Sequence, residues 1–199
     1  MTRRAPTYIA AILLIVALTG CAANDSLTNQ YRAGNEKGYI SGDFQVVEIP
    51  AGQRGTPVVF EGVTETGEAV SSDDYLGGVL VVNFWYAACG PCIVEAPLLE
   101  EVWQEYQDEG VAFLGVNTYD QPATALSFAR DNDITYPSVI DVNDGNVKLA
   151  FAQVTPIQAT PTTLIIDRDG RVAARIIGQL SAASILSTLV ADTLAEDAS

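Results

Sequence analysis

Val79-Leu80-Val81-Val82-Asn83-Phe84-Trp85-Tyr86-Ala87-Ala88-Cys89-Gly90-Pro91-Cys92 decides how this chain folds. Val79–Trp85 is an apolar run broken only by Asn83, as expected of a central strand buried on both faces. Two cysteines three residues apart follow at once. Beyond them Leu98, Leu99, Val102, Trp103 and Tyr106 recur at helical spacing, which predicts a helix over Pro91–Glu109. Pro97 falls inside it and is expected to kink it. The pair therefore sits where a buried strand turns into a helix N-terminus.

That position has chemical consequences. Unpaired N–H groups and the helix dipole point toward the sulfur of Cys89 and stabilise a thiolate, the nucleophile of disulfide exchange. Cys92 lies one turn on, placed to attack a mixed disulfide on Cys89 and release the product. Pro91 suits the first helical turn, where its missing N–H costs nothing. Gly90 lets a partner backbone come close. A purely structural disulfide closing so small a loop removes little chain entropy, so an exposed pair here is expected to be redox-active.

Composition excludes other chemistry. The 199 residues contain no histidine, which removes Ser-His-Asp and Cys-His catalysis and the commonest metal ligand. With three cysteines in all, the pair is not expected to be half of a structural zinc site. No metal and no cofactor are expected. All 25 acids lie after Cys21, against eight of the ten bases, a net −17 for that part of the chain. Such a surface repels nucleic acid and anionic headgroups. Solubility is its plain reading, and a monomer is expected.

The N-terminus reads as an address. Arg3 and Arg4 precede the short apolar run Ile9–Leu18, and Leu18-Thr19-Gly20-Cys21 follows. Leu-Thr-Gly-Cys resembles a bacterial lipobox, which implies cleavage before Cys21 and lipidation of its thiol. An uncleaved anchor and a plain secretory signal are the competing readings. All three put the domain outside the cytoplasm. Residues 1–20 are thus read as signal peptide, 21–55 as lipidated cysteine plus flexible tether, and 56–199 as the folded domain.

Within that domain, Val58–Glu61 and Glu68–Val70 read as strands around a Thr64–Gly67 turn. Ser71–Asp74 is an N-cap cluster for one helical turn. Val111–Val116 is a second buried strand, Ala123–Asn132 a helix, Tyr136–Ile140 a short strand and Val147–Phe151 a short helix. Thr162–Asp167 and Arg171–Ile177 flank an Asp-Arg-Asp-Gly hairpin turn. Ser181 is expected to cap a last helix ending near Ala195. The order predicts an α/β fold: a central mixed β-sheet flanked by helices, with an inserted βα unit and an N-terminal β-hairpin.

Three stretches carry a family resemblance over roughly residues 56–194: Asn83-Phe84-Trp85 leading to Cys89-Gly90-Pro91-Cys92 with Glu95-Ala96-Pro97 beyond, the inserted unit Ala123–Ile140, and Ala159-Thr160-Pro161-Thr162-Thr163 before Leu164–Gly170. Together they resemble the thioredoxin superfamily, most closely its extracytoplasmic TlpA/ResA branch. The resemblance implies a thioredoxin-like fold, a Cys89–Cys92 disulfide, and a cis Pro161 packed beside it. An X-Pro bond is the place where a cis peptide is cheap, and an ordinary trans proline opening a strand is the other reading. It also implies that Thr160 offers its backbone to a substrate strand, with Gly90, Pro91 and Tyr86 at the rim. Trp85 and Pro97 read as structural, Trp103 and Phe113 as core.

The departures concern protons. Asn83 stands where cytoplasmic thioredoxins carry a buried acid, Ala88 where a tryptophan is usual, and Gly90 where some cytochrome-maturation members have glutamate. Glu95 is the nearest acid and reads equally as a proton relay or a solvated helix residue. The resemblance implies a disulfide reductase, fed by a membrane thiol donor and serving a protein disulfide such as that of apocytochrome c. An oxidant of exported proteins is the alternative. A thiol peroxidase would need a lone activated cysteine with a neighbouring Thr and Arg, and a copper-delivery lipoprotein of this fold a distal histidine. A purely structural lipoprotein leaves the dithiol unexplained.

Overall fold

A computed structural model describes residues 46–196. Cys21, the leader and the tether up to residue 45 lie outside them. Six strands form one sheet in the order β1 (Val46–Glu48), β8 (Val172–Ile177), β7 (Thr162–Ile166), β4 (Val79–Trp85), β5 (Val111–Asn117), β6 (Ser138–Ile140). β4, β5 and β6 run parallel, and β7, β8 and β1 each pair antiparallel with their neighbours. The sheet is mixed, as expected.

The apolar run in β4 is explained by the two faces it serves. Val79 and Val81 join Leu99 and Val102 of α1 (Gly90–Tyr106), and Leu186 and Val190 of α4 (Ala183–Ala195). Leu80, Val82 and Phe84 join Phe60 and, from α3 (Asn146–Val154), Val147 and Phe151. Every residue of β4 is buried. Because strand side chains alternate, Asn83 and Trp85 fall on the α1 face. α2 (Pro122–Asp131) and β6 form the inserted unit between β5 and α3.

The N-terminal hairpin exists as a separate two-stranded sheet, β2 (Glu61–Val63) with β3 (Ala69–Ser71), two to three residues later in its first strand than the alternation suggested. Val58 and Phe60 are core residues leading into it, so their hydrophobicity marks packing and not pairing. A bridge from Thr64 to Val139 ties the hairpin to β6. Ser71 and Asp74 form the capping box of a 3-10 turn over Ser72–Tyr75.

Two expectations need correction. The folded part does not begin at residue 56. Val46–Glu48 pair with Ala174–Ile176, and the Ile49 N–H donates to the Ala173 carbonyl at 2.7 Å. The Arg54 guanidinium, 3% exposed, contacts Asp167 at 2.9 Å and Glu196 at 2.6 Å. Three residues on a sheet edge are too few to show a period. Nor does Ser181 cap the last helix: Ala182 holds the N-cap position, and its carbonyl accepts from the Ile185 N–H at 3.2 Å. α1 continues unbroken through Pro97.

Candidate active site

The turn from β4 into α1 places the two cysteines. The Cys89 N–H donates to the Tyr86 carbonyl at 3.1 Å, closing a tight turn over Tyr86–Cys89. Cys89 is then the N-cap residue of α1, and its sulfur accepts the Cys92 N–H at 3.2 Å. A helix leaves its first N–H groups without intrahelical partners, and one of them is here aimed at the reactive sulfur. Cys89 and Cys92 are joined as a disulfide.

The pair is less open than a strand–helix junction suggested: Cys89 is 3% exposed and Cys92 2%. They pack with Trp85 and Ala125, against which Tyr86, Ala87, Phe128 and Ile140 are laid. Gly90 and Pro91, by contrast, are exposed, so the dithiol is reached over them. The Thr160–Pro161 peptide bond is cis. The Thr160 carbonyl oxygen lies 3.9 Å from Cys89 Sγ, which brings together two residues 71 positions apart.

Glu95 is not a solvated helix residue: it is 0% exposed. Its Oε1 accepts from Asn83 Nδ2 at 2.8 Å and its Oε2 from the Leu180 N–H at 2.8 Å. Asn83 Nδ2 also donates to Thr163 Oγ1 at 3.0 Å. Burial pushes the Glu95 carboxyl up to about 7, outweighing the two hydrogen bonds, which favour the ionised form. The strand carries an amide at Asn83, and the helix supplies the acid, one turn after Cys92. A cavity of about 10 Å³, about the room one water needs, is lined in part by Asn83, Cys92, Tyr136 and Ser138; Glu95 is not in its lining.

Several contacts around the site carried no expectation from the sequence. Trp85 Nε1 donates to Ser138 Oγ at 3.2 Å, and its ring meets Phe128 at 4.4 Å. Gly115 makes room for this: a Cβ there would stand 2.1 Å from Ser138 Oγ and 2.7 Å from Trp85 Nε1. A glycine inside a buried strand is the signal that could have found it. Tyr119, 74% exposed, lies against Tyr86 with ring centroids 5.8 Å apart. Asp120 accepts the Ala87 N–H, and nothing in the local pattern marked it. Trp103 is only partly buried and donates to Thr135 Oγ1, while Phe113 is core.

Comparison with known proteins fits this arrangement. The Redoxin family model matches residues 47–190. The thiol-disulfide oxidoreductase ResA of Geobacillus thermodenitrificans is 37% identical over 108 residues, 54% of this chain and 59% of that protein. The ResA of Bacillus cereus is 29% identical over 113 residues, 57% of this chain and 62% of that protein. The match thus spans about six tenths of the length of these relatives. Among solved structures, a DsbF homologue from Corynebacterium diphtheriae superposes with a TM-score of 0.66 at 29% identity, covering 77% of this chain and 96% of that one. A secreted thiol-disulfide isomerase from Corynebacterium glutamicum, at 22% identity and a TM-score of 0.68 over 80% of this chain and 98% of that one, shares the fold. The chain belongs to the Redoxin family, as a ResA-like member of the thioredoxin superfamily.

Proposed function

We propose that the protein is an extracytoplasmic thiol–disulfide oxidoreductase that works as a disulfide reductase. The observation that carries the reading is the Cys89–Cys92 disulfide at the N-terminus of α1, with the Thr160 carbonyl 3.9 Å from Cys89 Sγ.

In the forward direction the Cys89 thiolate attacks a sulfur of the client disulfide. A mixed disulfide forms and the client's other sulfur leaves as a thiolate, which takes up a proton. Cys92 then gives up its proton and attacks Cys89 Sγ. The client departs with both cysteines reduced, and Cys89–Cys92 carries the oxidising equivalent away. Glu95, whose carboxyl burial brings to about 7 and which follows Cys92 by one turn, is in its ionised form the proton acceptor in this scheme, directly or through one water. Thr160, Gly90, Pro91 and Tyr86 receive the client's backbone. Two electrons from a membrane thiol donor restore the dithiol.

The Leu18–Cys21 motif supports a lipid anchor on Cys21, and a client of the apocytochrome c kind rests on the resemblance of the Asn83–Pro97 stretch to the TlpA/ResA branch. No cofactor takes part. The test is to mix the reduced protein with an oxidised Cys-x-x-Cys-His peptide and to measure its reduction potential. A reductase frees the peptide thiols and has a potential near the thioredoxin value of about −270 mV. A potential near about −120 mV, that of a strong oxidant, establishes the alternative, an enzyme that forms disulfides in exported proteins. Palmitate labelling lost in Cys21→Ala tests the anchor, and labelling that persists in that variant refutes it.

A further inference from the structure

Asp120 stands across from the dithiol on a different strand end, and the proposed exchange does not use it. One of its oxygens, Oδ2, accepts the Ala87 N–H at 2.6 Å and Asn117 Nδ2 at 3.0 Å. Ala87 is inside the Tyr86–Cys89 turn that positions the Cys89 sulfur. The loop holding Asp120 is itself fastened. Asn117, fully buried, accepts the Tyr119 and Asp120 N–H groups on Oδ1 at 3.0 Å and 2.7 Å. The Thr118 N–H donates to the Trp85 carbonyl at 3.1 Å. The result is a rigid bracket: the end of β5 grips the dithiol turn through a carboxylate.

A neutral side chain would have made the same hydrogen bonds, so the charge asks for an explanation. Disulfide exchange responds to charge near the N-terminal cysteine, because a stabilised thiolate favours the reduced form and makes the couple more oxidising. A carboxylate bonded two residues before Cys89 acts in the opposite sense. Two other buried acids have their own partners: Glu95 accepts from Asn83 Nδ2 and the Leu180 N–H, and Asp141 accepts the Val147 and Lys148 N–H groups at 2.8 Å and 3.0 Å.

We infer that Asp120 is a positioning residue for Cys89 whose fixed negative charge also disfavours the Cys89 thiolate and so holds the couple reducing. The inference rests on the dithiol cycling between its two redox states. Asp120→Asn separates charge from geometry, since an amide oxygen can accept from both donors. Asp120→Ala removes both. The readouts are the pH titration of the Cys89 thiolate by ultraviolet absorbance, and the equilibrium constant of the Cys89–Cys92 couple against a glutathione buffer.

In Asp120→Asn the thiolate should form at lower pH. The equilibrium should move toward the dithiol by about threefold or more, about 14 mV at 29.6 mV per tenfold for a two-electron couple. Asp120→Ala should shift the same way and also exchange more slowly, because the Ala87 turn is released. An Asp120→Asn protein with the wild-type titration and equilibrium constant, or a shift toward the disulfide, overturns the inference, and this variant decides if Asp120→Ala does not fold. A wild-type protein that never equilibrates with glutathione refutes the oxidoreductase reading instead.

Discussion

Replacing Glu95 by Gln removes the buried acid while keeping its shape. The folded protein binds the Glu95 proton more tightly than the unfolded chain, because burial lifts the carboxyl from its ordinary 4.5 to about 7. A tenfold change in proton affinity is worth about 1.4 kcal/mol, so the ionised carboxylate costs the fold about 3 kcal/mol. Below about pH 4.5 both states are protonated and the cost is absent. Between there and pH 7 the native state holds more protons than the unfolded one, so stability falls as pH rises. Above about 7 the cost is fully present. Gln carries no such charge. Its oxygen can accept the Leu180 N–H, and Asn83 can turn its amide to face the new NH₂. The assay is urea unfolding of the oxidised wild type and Glu95→Gln from pH 4.5 to 7.5. The variant should gain relative to wild type by about 3 kcal/mol across that range. A difference that stays flat with pH would show that Glu95 does not titrate there and refute its place as a proton acceptor.

Gly115→Ala should drive Trp85 from Ser138, since the added Cβ meets Ser138 Oγ and the indole nitrogen; overpacking of this kind costs about 1–3 kcal/mol, read from the urea midpoint together with a changed near-ultraviolet tryptophan signal. Among the described residues Arg54→Ala leaves Asp167 one cationic partner, Arg171 at 3.2 Å, and should cost about 2 kcal/mol or more in the same assay. A chain begun at residue 56 also loses β1 and should unfold at markedly lower urea than one begun at 46; equal midpoints would return those residues to the tether. In exchange kinetics, Glu95→Gln should slow release of a client from the mixed disulfide above pH 7 while leaving the first attack by Cys89 little changed, as stopped-flow with a thiol-reporting disulfide would show.

The fold was legible where periodicity and punctuation agree. Val79–Trp85 followed by Cys-x-x-Cys announces a strand–helix junction, and Asp167–Gly170 announces a hairpin. β1 was not legible, because three edge residues show no alternation and its partner lies more than a hundred positions away. The hairpin slid because Val58 and Phe60 are apolar for the core beneath it. At the site, cysteine spacing and Thr160-Pro161 could be read as motif. What surrounds them could not. Glu95 looks like any helix-surface acid until α4's lead-in residue Leu180 and Asn83 close over it, and Asp120 reaches Ala87 across 33 positions. Pairings made by tertiary packing leave no local trace, with Gly115 the exception because a glycine inside a strand needs a reason.

Trapping the exchange intermediate shows which cysteine attacks first. Reduced Cys92→Ala protein is mixed with a disulfide-bearing peptide and the adduct is located by mass spectrometry. A stable mixed disulfide should form on Cys89, and none on Cys92 in the Cys89→Ala protein under the same conditions. An adduct that forms on Cys92 in Cys89→Ala, while Cys92→Ala traps nothing, would contradict Cys89 as the attacking cysteine.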